Sequence, residues 1–459
     1  MVITHFSQLQ TYFLASKTRE LGARLAALKN LRHVLKEHEQ AIFDAAKKDF
    51  GRPELEVFSA ELASLYTEID FACKHLASWA KPQRAHSGPF WFTGKNYIYA
   101  EPYGLVLIIA PWNFPFLLSL LPLIHALAAG NCALIKPSEF APAQALVIES
   151  IVQKSLDPGL AYVIQGDAHI AQELLTQPWD YIFFTGSVKV GTLVYQEAAK
   201  RLIPVTLELG GKNPVIVTQD ADIKYAAKKI VWGKFFNAGQ CCLAPDYVLV
   251  DATLQDLLVK AIQEQVLAFY GQTPQESPDY ARIVNEAHML RLKNLLAAST
   301  NAGAHVSGGN IDNATRYFSP TILTNVSLQN PIMQEEIFGP ILPIIPYAKL
   351  DEAISIINQK PKPLALYIFS SSPKIQEKIV HNTSSGGSCI NNVLLHHNSP
   401  HLPFGGVGAS GIGAYHGKYG LDTFSHRKAI LKSNGWLSKW FIYPPYKKWT
   451  LTFLRFWYR

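Results

Sequence analysis

The chain has 459 residues, 48% hydrophobic and 17% charged, the composition of a folded globular protein and not of a disordered, collagen-like or disulfide-stapled one. That length exceeds one core and predicts two or three domains. The net charge of +7 would suggest nucleic acid or an anionic membrane if evenly spread, but eight basic and no acidic residues lie from Thr423 onward, leaving 34 basic against 35 acidic in a body that gives no case for nucleic acid.

Leu21, Leu25, Leu28, Leu31 and Leu35 recur at helical spacing, and the first 80 residues or so read as mostly helical. Across 81–103 the texture turns to aromatics, Gly and Pro, with Asn96-Tyr97-Ile98-Tyr99 reading as extended chain. No Asp, Glu, Lys or Arg then occurs between Glu101 and Lys136. Hydropathy alone would flag a membrane span, yet Pro111, Pro115 and Pro122 interrupt it. A buried strand, a turn and a buried helix over 116–130 account for it better.

Short apolar runs follow at 105–110, 133–135, 161–164, 181–184 and 204–207, with helix-forming stretches such as Ala168–Leu175 between most of them. That alternation predicts a parallel α/β sheet of dinucleotide-binding layout. A second α/β unit runs from Gly210 to about Asn391, with strands at Pro214–Val217, 247–250 and 341–345 and a helix at 285–300. After His396 the chain becomes Gly-rich.

Five cysteines, Cys73, Cys132, Cys241, Cys242 and Cys389, form no C-x-x-C pair and fit a reducing compartment. The stretch from Met1 to Phe13 lacks the basic and apolar regions of a secretory signal. The expected location is the cytoplasm.

Four segments carry chemistry. In Pro111-Trp112-Asn113-Phe114-Pro115, rigid prolines bracket one amide, either a turn former or an oxyanion donor. Phe184-Thr185-Gly186-Ser187-Val188-Lys189-Val190-Gly191 reads as a strand entering a helix, whose free N–H groups suit a phosphate, though the glycine spacing is not the usual Rossmann fingerprint. Glu208, in Leu207-Glu208-Leu209-Gly210-Gly211-Lys212-Asn213-Pro214, is either a solvated strand-end carboxylate or a general base. In Phe236-Asn237-Ala238-Gly239-Gln240-Cys241-Cys242 a thiol is either inert packing or, on a polar Gly-containing loop, an accessible nucleophile. There is no G-x-S-x-G elbow.

Together these segments resemble the aldehyde dehydrogenase superfamily. Ile135-Lys136-Pro137-Ser138-Glu139, Glu335-Glu336-Ile337-Phe338-Gly339-Pro340 and Pro403-Phe404-Gly405-Gly406 match as well, and the likeness runs to about Arg427. The stretches from Gly411 to Gly420 and from Asp422 to Arg427 look like the class 3, fatty aldehyde branch.

The resemblance implies an α/β protein with a Rossmann-like parallel-sheet cofactor domain (1–80 and 104–206). A second α/β catalytic domain (207–392) and a small β bridging or oligomerisation element (81–103 and 393–430) complete it. It implies NAD(P)-dependent oxidation of aldehydes to carboxylic acids. Cys242, three residues after Gly239, would be the nucleophile, Asn113 the oxyanion donor and Glu208 the base.

By the same resemblance Lys136 and Glu139 meet the adenosine ribose. Ser187 and Trp112 lie near the pyrophosphate, Phe184, Gly186 and Gly191 belong to the same cofactor site, and Glu336 and Phe338 hold the nicotinamide ribose and ring. Glu139 favours NAD, with NADP left open by Lys136. Tyr66, Ile390 and Phe404 are expected to line the substrate path, no metal is implied, and a homodimer is. A CoA-acylating dehydrogenase and a non-catalytic structural protein on the same fold are the rival readings.

The remaining stretch, 431–459, holds Trp440, Phe441, Tyr443, Tyr446, Trp449, Phe453, Phe456, Trp457 and Tyr458. On a helix from Lys447, Trp449, Phe453, Phe456 and Trp457 share one face, and Lys448, Arg455 and Arg459 another. This is the pattern of an interfacial helix at an anionic membrane, or of a segment docked on the body or a partner. The substrate expected from it is hydrophobic, a long-chain aliphatic or apocarotenoid-like aldehyde.

Overall fold

The computed structural model describes residues 2–86, 94–433 and 443–457. Trp440, Phe441, Tyr458 and Arg459 of the tail lie outside them.

The apolar runs become strands because they are buried on both faces, which is why they read as continuous rather than alternating. Six form one sheet in the order Gly411–Ile412, Val205–Leu209, Tyr181–Gly186, Leu105–Ile109, Cys132–Lys136, Ala161–Val163. All neighbours are parallel except Gly411–Ile412, which runs antiparallel to its neighbour. The chain winds outward from Leu105–Ile109 in one direction and returns to its other side at Tyr181–Gly186. The crevice beyond the strand ends at this reversal is where doubly wound sheets take ligands.

The apolar segment that mimics a membrane span is the helix Pro115–Ala129, every residue of which is buried. Apart from Ser119 and His125 it is apolar all round, because the N-terminal helices and this sheet enclose it in one core. Pro115 opens the helix, and Gly130, at φ 94°, closes it. Among the described residues no helix is long and apolar enough to cross a membrane.

A second, seven-stranded sheet runs His305–Ser307, Thr321–Thr324, Ile341–Tyr347, Tyr247–Asp251, Pro214–Val217, Ala365–Phe369, Gly387–Ile390. It too is parallel, apart from the antiparallel edge His305–Ser307. A third, antiparallel sheet joins Gln83–Ala85, Gly94–Pro102 and Ser425–Ser433.

Three boundaries differ from those the sequence suggests. The 206/207 division falls inside Val205–Leu209, which belongs wholly to the first sheet; the crossing comes at Gly210-Gly211. Gly411–Ile412, expected with the bridging element, extends the first sheet. The bridging strand continues to Ser433, so the tail begins beyond 431.

The N-terminal helices reach the centre through one π-helical turn, Phe58–Leu62. That wider turn carries Glu61, whose Oε1 accepts from Arg52 Nη1 and whose Oε2 accepts the Leu117 N–H at 3.0 Å. Both side chains of this ion pair are fully buried. Glu61→Leu therefore leaves a buried cation uncompensated and is expected to cost about 3–5 kcal/mol. Urea unfolding with an unchanged slope would read the loss directly; a cost below about 1 kcal/mol, the range of an exposed pair, would contradict it.

Candidate active site

The site is assembled where the first sheet, the second sheet and the helix Pro115–Ala129 meet. An apolar pocket lies there, with Cys241 and Cys242 in its wall. Leu117 and Leu118 of the buried helix face it, as do Phe114, Phe236, Phe404, Tyr415 and His416. Phe404 and Tyr415 exchange both backbone hydrogen bonds, at 2.9 and 2.8 Å, which fixes that wall.

Cys242 follows a turn that leaves the end of the helix Ile223–Phe235. The Gln240 side chain spans the turn: its Nε2 donates to Asn237 O at 3.1 Å and Arg282 O at 2.9 Å, and its Oε1 accepts the Val284 N–H at 2.9 Å. Asn113 is buried, and its Nδ2 donates to Gln240 O at 3.2 Å. An amide carries two N–H bonds, so one remains for a substrate oxygen. The neighbouring Cys241 thiol, burial and the carboxylates of Glu336 and Glu208 push the Cys242 thiol well up, while the neighbouring Cys242 thiol and the N–H groups of Leu243 and Ala244 hold Cys241 down.

Glu208 sits in the first sheet, paired with Thr185 on one side and Gly411 on the other. It is buried, and neither carboxylate oxygen has a hydrogen-bond partner among the described residues. Burial pushes its carboxyl well above the ordinary range. Glu336 is also pushed up, to about 8, chiefly by burial. Its carboxylate lies over Gly210, where a Cβ would come within 2.1 Å of Oε2. The two glycines thus let the Glu208 and Glu336 motifs interlock, and Lys212 fastens them through Ile332 O at 2.7 Å and Glu335 O at 2.9 Å.

The residues present fit a dinucleotide. Ser187 caps the helix Val188–Ala199 at the end of Tyr181–Gly186, and Ser187, Val188 and Val190 are exposed there, leaving a helix N-terminus open to a phosphate. Gly191 keeps that helix against the sheet, since a Cβ would meet Leu209 Cδ2 at 2.5 Å; Phe184 is buried beneath. Lys136 is buried at the end of its strand and bonds Glu139 at 2.7 Å. Trp112 and Phe338 meet edge to face at 5.5 Å. These residues lie along the strand ends at the reversal of the first sheet.

Of the expected substrate residues, Phe404 lines the cavity and two do not. The Tyr66 hydroxyl donates to Glu39 at 2.7 Å in the N-terminal helical layer, and Ile390 ends an outer strand, exposed. Several site residues are absent from the sequence reading. Asn213 Nδ2 donates to Cys242 O at 2.7 Å, and Asn237 Nδ2 to Asn113 O at 3.0 Å. Glu68 holds His416 Nδ1 at 2.8 Å and accepts the Gly417 N–H at 3.0 Å. Asn213 and Asn237 sit inside motifs already singled out, but Glu68 carries no local signal.

A helix N-terminus at the reversal of a doubly wound sheet, beside a cavity walled by two cysteines, is the arrangement of a dinucleotide-binding protein with a thiol-lined pocket. The sequence model of the aldehyde dehydrogenase family matches residues 7–430, and the chain belongs to that family. It is 46% identical over 443 residues to the 4,4'-diaponeurosporen-aldehyde dehydrogenase of Staphylococcus aureus (strain NCTC 8325 / PS 47), covering 96% of each chain. It is 45% identical to aldehyde dehydrogenase family 3 member A2 of Mus musculus, over 92% of this chain and 87% of that one. The substrate-bound state of Staphylococcus aureus AldH superposes with a TM-score of 0.96 over the whole of both chains, at 44% identity. The protein is an NAD(P)-dependent enzyme that oxidises aldehydes to acids.

Because the folded state raises the Glu208 carboxyl, stability is fully present below the ordinary carboxylate pKa and is lost as pH rises through the raised one. Glu208→Gln removes this penalty. Its thermal midpoint should exceed that of wild type more at pH 8 than at pH 4; an equal difference at both would place the folded Glu208 carboxyl in the ordinary range.

Proposed function

We propose that the enzyme oxidises hydrophobic aldehydes, long-chain aliphatic or apocarotenoid-like, with Cys242 as nucleophile. The observation that carries this is the apolar cavity with the thiol in its wall. The name of the Staphylococcus aureus relative, a 4,4'-diaponeurosporen-aldehyde dehydrogenase, supports the same substrate class.

Cys242 gives its thiol proton to Glu208, which passes it to solvent, and Cys242 Sγ attacks the aldehyde carbon to form a thiohemiacetal. Its oxyanion is held by Asn113 Nδ2 and the Cys242 N–H; loss of one such donor typically costs ~10²–10³ in rate. NAD(P) supplies the hydride acceptor. Departure of hydride leaves a thioester on Cys242, and Glu208 takes the proton from the water that releases the acid. A raised carboxyl pKa suits Glu208 to this, since a stronger base removes a water proton more readily. Lys136 and Glu139 hold the adenosine ribose, the carboxylate favouring a free 2′-hydroxyl and hence NAD over NADP. Glu336 and Phe338 hold the nicotinamide ribose and ring.

Each buried methylene contributes ~0.8 kcal/mol, so kcat/KM for decanal should exceed that for propanal on the order of 10²-fold if about half of the additional methylenes are buried, and about 10⁴-fold if all of them are. Reduced-cofactor absorbance measures this; equal values would remove the hydrophobic-substrate reading. Cys242→Ser should abolish turnover, and acid should form without added CoA. Wild-type turnover in that variant would make the nucleophile assignment wrong, and a requirement for CoA would favour the acylating reading.

The tail helix Lys448–Trp457 supports a second element of the proposal. Leu451 and Phe456 are exposed along it, and Thr450 is buried. With Lys448 and Arg455 it suits an anionic membrane surface where apolar substrate collects. The class likeness supports a cytoplasmic homodimer bound there peripherally. The full chain should sediment with anionic liposomes and a chain ended at Asn434 should not; equal recovery in both supernatants would sink the membrane contact.

A further inference from the structure

Three consecutive residues ahead of the thiol pair have positive φ: Asn237 at 49°, Ala238 at 51° and Gly239 at 76°. Left-handed backbone is uncommon for residues with a Cβ, and two in succession persist only where the surroundings over-determine them. Gly239 admits no side chain, because a Cβ would stand 2.3 Å from Gly339 O, in the loop that carries Phe338. The turn is therefore wedged against the nicotinamide side of the site and cannot relax in that direction.

On the other side the restraint comes from the short helix Glu54–Val57 in the N-terminal layer. Glu56 Oε2 accepts the Asn237 N–H at 3.1 Å, from 181 residues away in sequence. With its backbone fixed, Asn237 turns its amide to Asn113 O at 3.0 Å and Gln240 O at 3.2 Å. The residue that carries the oxyanion amide and the residue two before Cys242 are thereby tied to one side chain. Arg52 and Asp279 are the charged groups whose fields reach Glu56, with Tyr270 close by.

We propose that Glu56 is a positioning residue for the nucleophile: its carboxylate holds the left-handed turn 237–239, and through Asn237 it sets Cys242 against the Asn113 amide. This rests on the assignment of Cys242 as the nucleophile. Glu56 lines no part of the cavity and touches neither thiol in the contacts above, so it acts through the backbone alone. An error of about 1 Å in the attacking atom can cost on the order of 10² in rate. Binding of NAD(P), by contrast, depends on residues in the first sheet and the 335–340 loop, which Glu56 does not hold.

The test uses the full chain as wild type, Glu56→Gln, Glu56→Asp, Glu56→Leu and Cys242→Ser, with decanal and NAD. Turnover, NAD affinity by protein fluorescence and the rate at which iodoacetamide alkylates Cys242, read by peptide mass, are compared. Glu56→Gln keeps an oxygen at the same reach and should stay within about 3-fold of wild-type kcat, whereas Glu56→Leu should lose about 10–100-fold. NAD affinity should be unchanged in both, and the alkylation rate should shift only in Glu56→Leu. If Glu56→Leu does not fold, Glu56→Asp decides: its withdrawn carboxylate should lower kcat at least about 5-fold without changing KM.

Wild-type kcat and alkylation in Glu56→Leu, or in Glu56→Asp where that variant decides, overturns the proposal. So does an equal loss in Glu56→Gln and Glu56→Leu, since charge and not hydrogen-bond acceptance would then matter. The nucleophile assignment fails separately, through an active Cys242→Ser. The alkylation rate reports the position of Cys242 in either case.

Discussion

The backbone carbonyl of Gln240 is the point on which the centre of the molecule depends. It accepts from the side-chain amides of Asn113 and Asn237, each at 3.2 Å. A carbonyl has two lone pairs, and here both are committed to the groups that must be placed relative to the thiol. Asn237 returns the connection through Asn113 O, closing a loop of hydrogen bonds between two segments that approach from different domains. Gln240 itself is buried with all of its polar atoms engaged, which explains a long amide at this position. A shorter side chain would not reach Arg282 and Val284 together.

Around that junction the protein buries ionisable groups it does not fully compensate. Glu208 has no hydrogen-bond partner among the described residues, Glu336 is pushed up to about 8 by burial, and burial brings Lys234 down to about 8. Each departs from what stability alone would select, and such departures gather where chemistry is done. They are carried by an apolar core that is continuous from the N-terminal helices through the buried helix into the second sheet. The buried ion pairs Arg52 with Glu61 and Lys212 with Asp246 line no part of the cavity and instead fix backbone, at Leu117 N–H and at Ile332 O and Glu335 O.

What could be read in the sequence followed from how local the cause was. Strands such as Pro214–Val217 are legible because burial on both faces writes itself into consecutive residues. The edge strand Gly411–Ile412 is not, for two residues carry no periodicity, and the strand exists only because Glu208 and Leu207 offer it partners. The division at 206/207 failed for the same reason: the sheet continues to Leu209, and only the glycines after it mark the crossing. In the site, Cys242, Glu208 and Asn113 stand out by residue type within short motifs. Their supports do not, because Asn113 and Gln240 are 127 residues apart and Glu56 and Asn237 are 181 apart. Tyr66 and Ile390 lie away from the cavity because an aromatic or aliphatic side chain encodes burial or contact but not its partner.

The adjacent thiols show why residue type was insufficient even at the centre. Cys241 is the more buried of the two, and its sulfur is engaged by the N–H groups of Leu243 and Ala244, so lowering its pKa does not make it available. Cys242 is the more exposed, and its proton is retained by the neighbouring Cys241 thiol, by burial and by the Glu336 and Glu208 charges. A thiolate in an apolar cavity would be costly and open to oxidation. Burial raises both the Cys242 thiol and the Glu208 carboxyl, so the two move in the same direction. The lowered pKa thus falls on the more buried sulfur, Cys241, and the raised one on the more exposed sulfur, Cys242.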